Sequence, residues 1–491
     1  MKKALIILLG TCLCYNTFSQ EKPNIIYVIC DDLGYGDIKV LAPKTCKITT
    51  PNADKLANEG MIFTDAHSGS SVCTPTRYGV ITGRYSWRTK LQHGVVQGFK
   101  DDLVAADRPT VASFLKERGY HTAIIGKWHL NFNYLDPNTN EKLKKETNKR
   151  ALGLPPIGAK IPDGPISRGF DYFHGFHHAR DMKAVIEDDE VILHEDEVNM
   201  LPRLTRKSVE YIHERAKEKK KPFFLYLPLG SPHAPIVPAK EWKGKSGLGD
   251  YGDFVMQTDN VLGEINKALK EHGLIENTLI IFTSDNGCSK GANIKDLQSK
   301  GHYPSAHMRG SKADLWDGGH RIPFIVSWPK VVKKGSKSDQ LICLTDLFAT
   351  VAEINGAKLP NNGAEDSFSF LPALKNKPLA SERIGVVHHS ISGHFGYRQN
   401  NWKLLLAKGS GGWSSPNESQ SKGKPEAQLY DLDKDPSETT NLYKEKPEIA
   451  DMLLKNLTSD INNGHTRKEA NTQNDYNKII LWKSDREKKK L

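Results

Sequence analysis

The sequence has 491 residues and a formal net charge of +11, with 38% hydrophobic and 26% charged residues. That length exceeds what one compact core usually holds, so a soluble globular protein with one large and one smaller domain is expected. Beyond residue 20 no stretch is long and apolar enough to span a bilayer, and no basic helix, zinc finger or aromatic-basic platform marks a nucleic-acid binder; the surplus positive charge suits an anionic partner instead.

In chain order, residues 1–19 read as a signal peptide. Lys2 and Lys3 precede an apolar run, and Thr17 and Ser19 put small residues where a signal peptidase reads. A periplasmic or secreted protein is expected. Thr11 and Leu13 stand before Cys12 and Cys14 where lipidation calls for a small residue, which argues against a lipid anchor. Residues 24–30 (NIIYVIC) form a buried strand, and Thr50-Pro51 opens a helix that ends near Gly60. A helix over 110–118 leads to a strand over 121–126, and residues 131–163 read as a polar insertion. A basic helix over 204–219 leads to a strand over 223–227, and a helix over 254–271 to a strand over 278–283. A strand over 321–328 and a helix over 346–354 follow.

This alternation predicts an α/β fold, with a mostly parallel or mixed sheet between helix layers. After about Ala380 the texture changes to short strands and turns, including a loose Gly/Ser-rich segment over 409–426. A small antiparallel sheet with a closing helix over 447–462 is expected there. The boundaries are 20–380 for the main domain and 381–491 for the second.

Polar residues gather at the predicted strand ends. Asp31-Asp32, Lys127 with His129, His233, and Asp285-Asn286 each follow a strand. In open α/β sheets, sites form outside the carboxyl ends of strands. Asp31, Asp32, Asp285 and Asn286 are hard oxygen donors that suit Ca²⁺ or Mg²⁺. Each pair alone is more readily a strand-ending turn than a metal site; two pairs on different strands favour a metal. Lys127, His129 and His233 would handle protons and charge.

Five cysteines follow the signal: Cys30, Cys46, Cys73, Cys288 and Cys343. An odd number leaves at least one unpaired or joined to another chain. Cys73 stands at the start of a predicted helix, with Pro75 beside it and Arg77 one turn in. There a disulfide is one reading, and a nucleophilic thiol of lowered pKa is the other. No G-x-S-x-G elbow supports a serine hydrolase. A papain-like Cys–His enzyme would leave the oxygen donors unexplained.

The run Cys73-Thr74-Pro75-Thr76-Arg77, followed by Thr82-Gly83-Arg84, resembles the signature of the formylglycine-dependent sulfatases of the alkaline phosphatase superfamily. Thr76 stands where serine is commoner and keeps the hydroxyl. The resemblance extends through Asp31-Asp32, residues 126–129, 231–233, 285–287 and 309–312 to the late LYDLDKDPSETTNL over 429–442. It implies a large mixed sheet sandwiched by helices, with a smaller C-terminal antiparallel sheet. It also implies that a maturation enzyme oxidises Cys73 to Cα-formylglycine (3-oxoalanine). The hydrate of that group, activated by Ca²⁺ and stabilised by Arg77, would attack the sulfur of a sulfate ester. Lys127 and Lys312 would neutralise the sulfate oxygens. His233, with Lys312, would protonate the leaving alcohol, and His129 would take the proton of the second hydroxyl. Asp31, Asp32, Asp285, Asn286 and residue 73 itself would hold the metal.

The expected substrate is a sulfated carbohydrate, from an algal polysaccharide or a glycosaminoglycan. His177, His178, Arg180 and His302 are candidate contacts, with His307, His388, His389 and His394 as further imidazoles. Two rivals stay open: a phosphate or phosphonate diester hydrolase, and a non-catalytic sulfoglycan-binding protein.

Overall fold

A computed structural model describes residues 21–144, 153–379, 383–476 and 478–483. The expected signal peptide and the 380/381 boundary lie outside them. The strands are β1 Asn24–Asp31, β2 Met61–Phe63, β3 Ala66–His67, β4 His121–Lys127, β5 Tyr172–Phe176, β6 Ala184–Glu187, β7 Glu190–His194, β8 Phe223–Pro232, β9 Thr278–Ser284, β10 Phe324–Ser327, β11 Ser336–Ser338, β12 Ile342–Cys343, β13 Val386–His389, β14 Phe395–Gln399, β15 Trp402–Leu405 and β16 Gln428–Asp431. The helices are α1 Pro51–Asn58, α2 Cys73–Thr82, α3 Val111–Lys116, α4 Met200–Arg215, α5 Gly249–Glu271, α6 Ile294–Ser299, α7 Asp317–His320, α8 Leu347–Ile354, α9 Leu371–Leu374 and α10 Pro447–Asn462. None of them is long and apolar enough to cross a membrane.

Ten strands form one sheet in the order β11-β2-β10-β9-β1-β8-β4-β5-β6-β7. Its centre, β9-β1-β8-β4-β5, is parallel throughout. The flanks turn antiparallel where β10 meets β9 and β6 meets β5. Successive side chains of a strand face opposite sides of the sheet. In β1, Ile25, Tyr27 and Ile29 therefore enter one apolar cluster, while Ile26, Val28 and Cys30 enter another. The first cluster takes in Tyr78 and Val80 of α2, Leu115 of α3 and Phe348 of α8. The second takes in Leu56 of α1, Ile212 of α4 and Leu262 of α5. A strand buried on both faces favours apolar residues, and β1, β8 and β9 are for that reason hydrophobic over 25–30, 223–229 and 279–282, with polar residues at one or both ends.

The expected α/β architecture is present, and several boundaries differ from expectation. Helix α4 starts at Met200 and ends at Arg215, and α5 starts at Gly249. The segment expected as a polar insertion contributes Phe132, Tyr134, Ala159 and Ile161 to the first cluster. Its polar majority hides four anchors spaced too irregularly to show a period. His174 lies on β5, and His177 and His178 follow its end.

Strands β13 to β16 form the expected small antiparallel sheet, with α10 against it. Its cluster includes Tyr85, Trp87 and Cys343 from the preceding part of the chain. A buried ion pair fastens the same region. The Arg88 guanidinium donates to both carboxylate oxygens of Asp366 at 2.8 Å and to the carbonyl of Asp460 on α10 at 3.0 Å. Breaking such a pair from one side strands a charge in a dry interior. Arg88→Ala should cost about 3–5 kcal/mol of stability, read as a fall in the urea midpoint; a shift worth less than about 1 kcal/mol would contradict this role.

Candidate active site

Because the five central strands are adjacent and parallel, their carboxyl ends share one edge of the sheet. Asp31 ends β1 and Asp32 follows it; Lys127 ends β4; Pro232 ends β8, before His233; Ser284 ends β9, before Asp285 and Asn286. His177 and His178 follow β5. Cys73 is the first residue of α2. Lys312 arrives from the turn before α7, where its N–H bonds to the carbonyl of Cys288 at 2.9 Å. Asp32 and His129 take the left-handed backbone conformation, with φ of 67° and 55°. Such conformations persist only where the surroundings enforce them. Gly126, at φ 137°, lets β4 lie close to β8: a Cβ there would stand 2.1 Å from the carbonyl oxygen of Pro228.

The expected groups meet in one buried cluster of three carboxylates and three cations. Lys127 Nζ lies 2.5 Å from Asp31 Oδ2, and Lys312 Nζ lies 2.5 Å from Asp32 Oδ1. Arg77 Nη2 is 2.8 Å from Asp285 Oδ2 and 3.6 Å from Asp31 Oδ1. Asn286 donates its amide to Asp32 Oδ1 at 2.7 Å. His233 Nε2 stands 3.6 Å from Asp32 Oδ2, and its side chain, 14% exposed, marks the mouth of the cluster.

Burial raises the Asp31 carboxyl, but Lys127, His233 and Arg77 pull it well below the usual carboxylate range. Burial and the charge of Asp31 push Asp285 up to about 7, against Arg77. His129 is driven well below the imidazole range by burial and by Lys127, so it is a neutral base. The Cys73 thiol departs from expectation. Burial raises its pKa and outweighs the pull of Lys127 and Lys312. The expected low-pKa thiolate is therefore corrected to a protonated thiol, because desolvation exceeds what the helix terminus and the lysines supply. All five described cysteines are free, so the disulfide reading is corrected too.

The donor set fits a hard divalent cation. Asp31 Oδ1, Asp32 Oδ2 and Asn286 Oδ1 are buried and accept no hydrogen bond. Donor atoms of Asp31, Cys73 and Asp285 lie within 4.8 Å of one another, as do those of Asp31, Asp32 and His233. Three carboxylates aimed at one space repel each other, and a cation between them relieves that repulsion.

The imidazoles proposed as substrate contacts divide. His178 and His177 stack edge-on against His129, with ring centroids at 4.2 and 6.0 Å. Arg180 is exposed nearby in sequence, its N–H bonded to His178 Nδ1 at 3.0 Å. His302 is corrected: it is buried and both ring nitrogens are engaged, one by Asp37 at 2.8 Å and one by the N–H of Lys47 at 3.1 Å. No ring nitrogen is left for a substrate. His388, His389 and His394 are buried, and His388 stacks on His320 at 3.7 Å. Thr76 donates to the carbonyl of Ser70 at 2.9 Å, a bond that a serine hydroxyl can also make.

Two supports carried no sequence signal. Ser284 Oγ accepts the N–H of Leu33 and donates to the carbonyl of Asn286, tying the two acidic loops together. The carbonyl of Val96 holds His129 Nε2 at 3.2 Å.

A mixed sheet with this ring of charges at its parallel edge defines a hydrolase of the alkaline phosphatase-like fold. Residues 23–357 match the family model "Sulfatase", and residues 311–466 match "N-sulphoglucosamine sulphohydrolase, C-terminal". The chain is 32% identical to an N-acetylgalactosamine-6-O-sulfatase of Bacteroides thetaiotaomicron, covering 90% of this chain and 94% of that protein. It is 30% identical to human arylsulfatase A over 86% and 83% of the two chains. A solved structure from the metabolism of multiple glycosaminoglycans by Bacteroides thetaiotaomicron superposes with a TM-score of 0.76 at 29% identity, covering 89% of this chain and 99% of that one. The chain belongs to the sulfatase family and is a sulfuric ester hydrolase.

The oxygen cluster predicts a readout separate from turnover. In EDTA-stripped protein, Ca²⁺ at a hundred times its Kd should stabilise the fold by about 2.7 kcal/mol, seen as a rise in Tm. Asp32→Asn should lose most of that rise. A Tm that neither Ca²⁺ nor Mg²⁺ moves would contradict the site.

Proposed function

We propose that the protein removes sulfate groups from sulfated carbohydrates, with Cys73 matured to Cα-formylglycine and Ca²⁺ held by Asp31, Asp32, Asp285 and Asn286. The observation that carries this reading is the setting of residue 73. An unpaired, protonated thiol at the head of α2 lies within 4.8 Å of carboxylate oxygens of Asp31 and Asp285, with Lys127 and Lys312 acting on it. As a thiol it is a poor nucleophile and a poor partner for a hard cation. An oxygen-bearing side chain at the same place suits both tasks. The names of the relatives support a sulfated sugar, and family membership favours sulfate over phosphate diesters.

When present, the hydrated aldehyde supplies a hydroxyl nucleophile, and the ion lowers that hydroxyl's proton affinity. The chain's own groups do the rest. Lys127, Lys312 and Arg77 are cations fixed by Asp31, Asp32 and Asp285, and they would stabilise the negative oxygens of a bound sulfate ester. A proton from His233, the group at the mouth, would relieve charge on the departing alcohol; burial lowers the imidazole's pKa against the pull of Asp31 and Asp32, and the donor has to be the doubly protonated ring. Its Nδ1 is turned to the carbonyl of Ala234 at 2.5 Å, so Nε2 is the nitrogen left to face the leaving oxygen. His129 Nε2 likewise faces a carbonyl, that of Val96, which leaves Nδ1 with a lone pair and no partner. Nδ1 is the atom that accepts a proton when sulfate is released. His177 and His178, behind His129, keep that base dry and neutral. The N-terminal residues support export to the periplasm or beyond, after or during which a maturation enzyme acts on Cys73.

The peptide holding residue 73 should weigh about 18 Da less than its cysteine form, whereas ordinary thiol oxidation adds mass. Cys73→Ala should lower sulfate release by at least about 10⁴-fold while the fold is retained. An unshifted peptide in a preparation that still releases sulfate would overturn the formylglycine assignment.

A further inference from the structure

The Gly/Ser-rich segment over 409–426 looks loose in sequence, yet it is pinned in place on both sides of one exposed aromatic ring. Glu418 accepts the N–H groups of Lys408, Gly409 and Gly411 at 2.9, 2.9 and 3.2 Å. Buried Asp314 accepts those of Trp413 and Ser414 at 2.8 and 2.9 Å. Gly412 is pressed so closely on the main chain that a Cβ would come 2.1 Å from the carbonyl oxygen of Ala313. This scaffolding presents Trp413, whose side chain is 42% exposed. A large aromatic held in place by its backbone and left exposed at the surface is a recognition platform more than a packing element.

Trp413 forms one wall of a cleft of about 750 Å³, within the range of small-molecule sites. Lys290, Lys295 and Arg309 line it, together with amides and hydroxyls including Gln298 and Ser311, and no carboxylate does. Arg309 is braced over the ring of Trp316 at 3.7 Å, and the Lys290 ammonium donates to the carbonyl of Trp413. The cleft adjoins the charge cluster. Gly310 and Ser311, which line it, immediately precede Lys312. Lys290 is four residues beyond Asn286, a span of at most about 14 Å. Gly291 faces Ala234, next to His233 at the mouth, since an added Cβ would lie 3.8 Å from the Ala234 methyl.

We propose that this cleft is a glycan-binding subsite for the part of an anionic sugar chain that extends beyond the ester being cleaved. A sugar's C–H face stacks on the Trp413 indole, its hydroxyls meet the amides and serines, and a neighbouring sulfate or carboxylate pairs with Lys290, Lys295 or Arg309. The class of ligand rests on the sulfated-carbohydrate reading; the cleft itself does not.

The test is affinity electrophoresis of the full chain in gels containing chondroitin 6-sulfate, heparin or ι-carrageenan, beside turnover of 4-nitrophenyl sulfate. The wild type should be retarded by at least one polysaccharide. Trp413→Ala and the double variant Lys290→Ala/Lys295→Ala should each weaken that retention about tenfold, with Trp413→Phe retaining most of it. Removing the distant basic run as Lys219→Ala/Lys220→Ala/Lys221→Ala should leave retention unchanged. Aryl sulfate turnover by Trp413→Ala should stay within about twofold of wild type, because so small a substrate does not reach the cleft. Retention by no polysaccharide, retention indifferent to Trp413, or an equal loss in the distant lysine variant would overturn the subsite. A wild type that retains polysaccharide but turns over no sulfate ester would count against the catalytic reading and leave the subsite standing.

Discussion

Three carboxylates and three cations share one dry space at the carboxyl edge of the parallel strands, and most of the rest of the structure serves to hold them there. Asp31, Asp32 and Asp285 could not be buried together without Lys127, Lys312 and Arg77. Any one of these charges left alone would be expensive, so each fixes the position of its partner. The sheet order puts five strand ends side by side, the left-handed turn at Asp32 aims its carboxylate back into the cluster, and Gly126 allows β4 to close on β8. The apolar clusters on both faces make that frame stiff enough to keep like charges near one another.

Chemistry follows from the imbalance that remains. Buried oxygens of Asp31, Asp32 and Asn286 are left without donors, while Lys127 and Lys312 each already hold a carboxylate. The unpartnered oxygens suit a cation. Residue 73 stands beside Asp31 and Asp285, within the influence of Lys127 and Lys312. Its thiol, made less acidic by burial, is the one group in the cluster unsuited to the company it keeps. A change in that side chain resolves the mismatch more simply than any movement of the surrounding residues.

Much of this was legible in the sequence. Strands buried on both faces are continuous apolar runs, and the residues directly after them are polar for a reason. Asp31-Asp32, His233 and Asp285-Asn286 could be placed from that rule alone, and the short motif around Cys73 named the family. What was not legible is burial depth. A helix terminus beside an arginine suggests a lowered thiol pKa, but the strength of desolvation depends on walls from distant segments. His302 resembled a substrate contact because a histidine's partners are invisible in one dimension; Asp37 and Lys47 are more than 250 residues away from it. The segment over 409–426 reads as a flexible linker by composition, but Glu418 and Asp314 hold its main chain, with Gln428 and Leu315 donating to the carbonyls of Gly409 and Ser410. Phe132, Tyr134, Ala159 and Ile161 were hidden for the converse reason, being isolated apolar residues in a polar stretch.

A crystal structure of protein matured in its own host tests the central claim most directly, through the density at residue 73 and at the centre of the acidic cluster. The account predicts an oxygen-bearing side chain in place of the thiol, and a cation ringed by oxygens of Asp31, Asp32, Asp285 and Asn286 at about 2.3–2.6 Å. An intact Cys73 thiol beside an ordered water, with full activity in the same crystals, would contradict it.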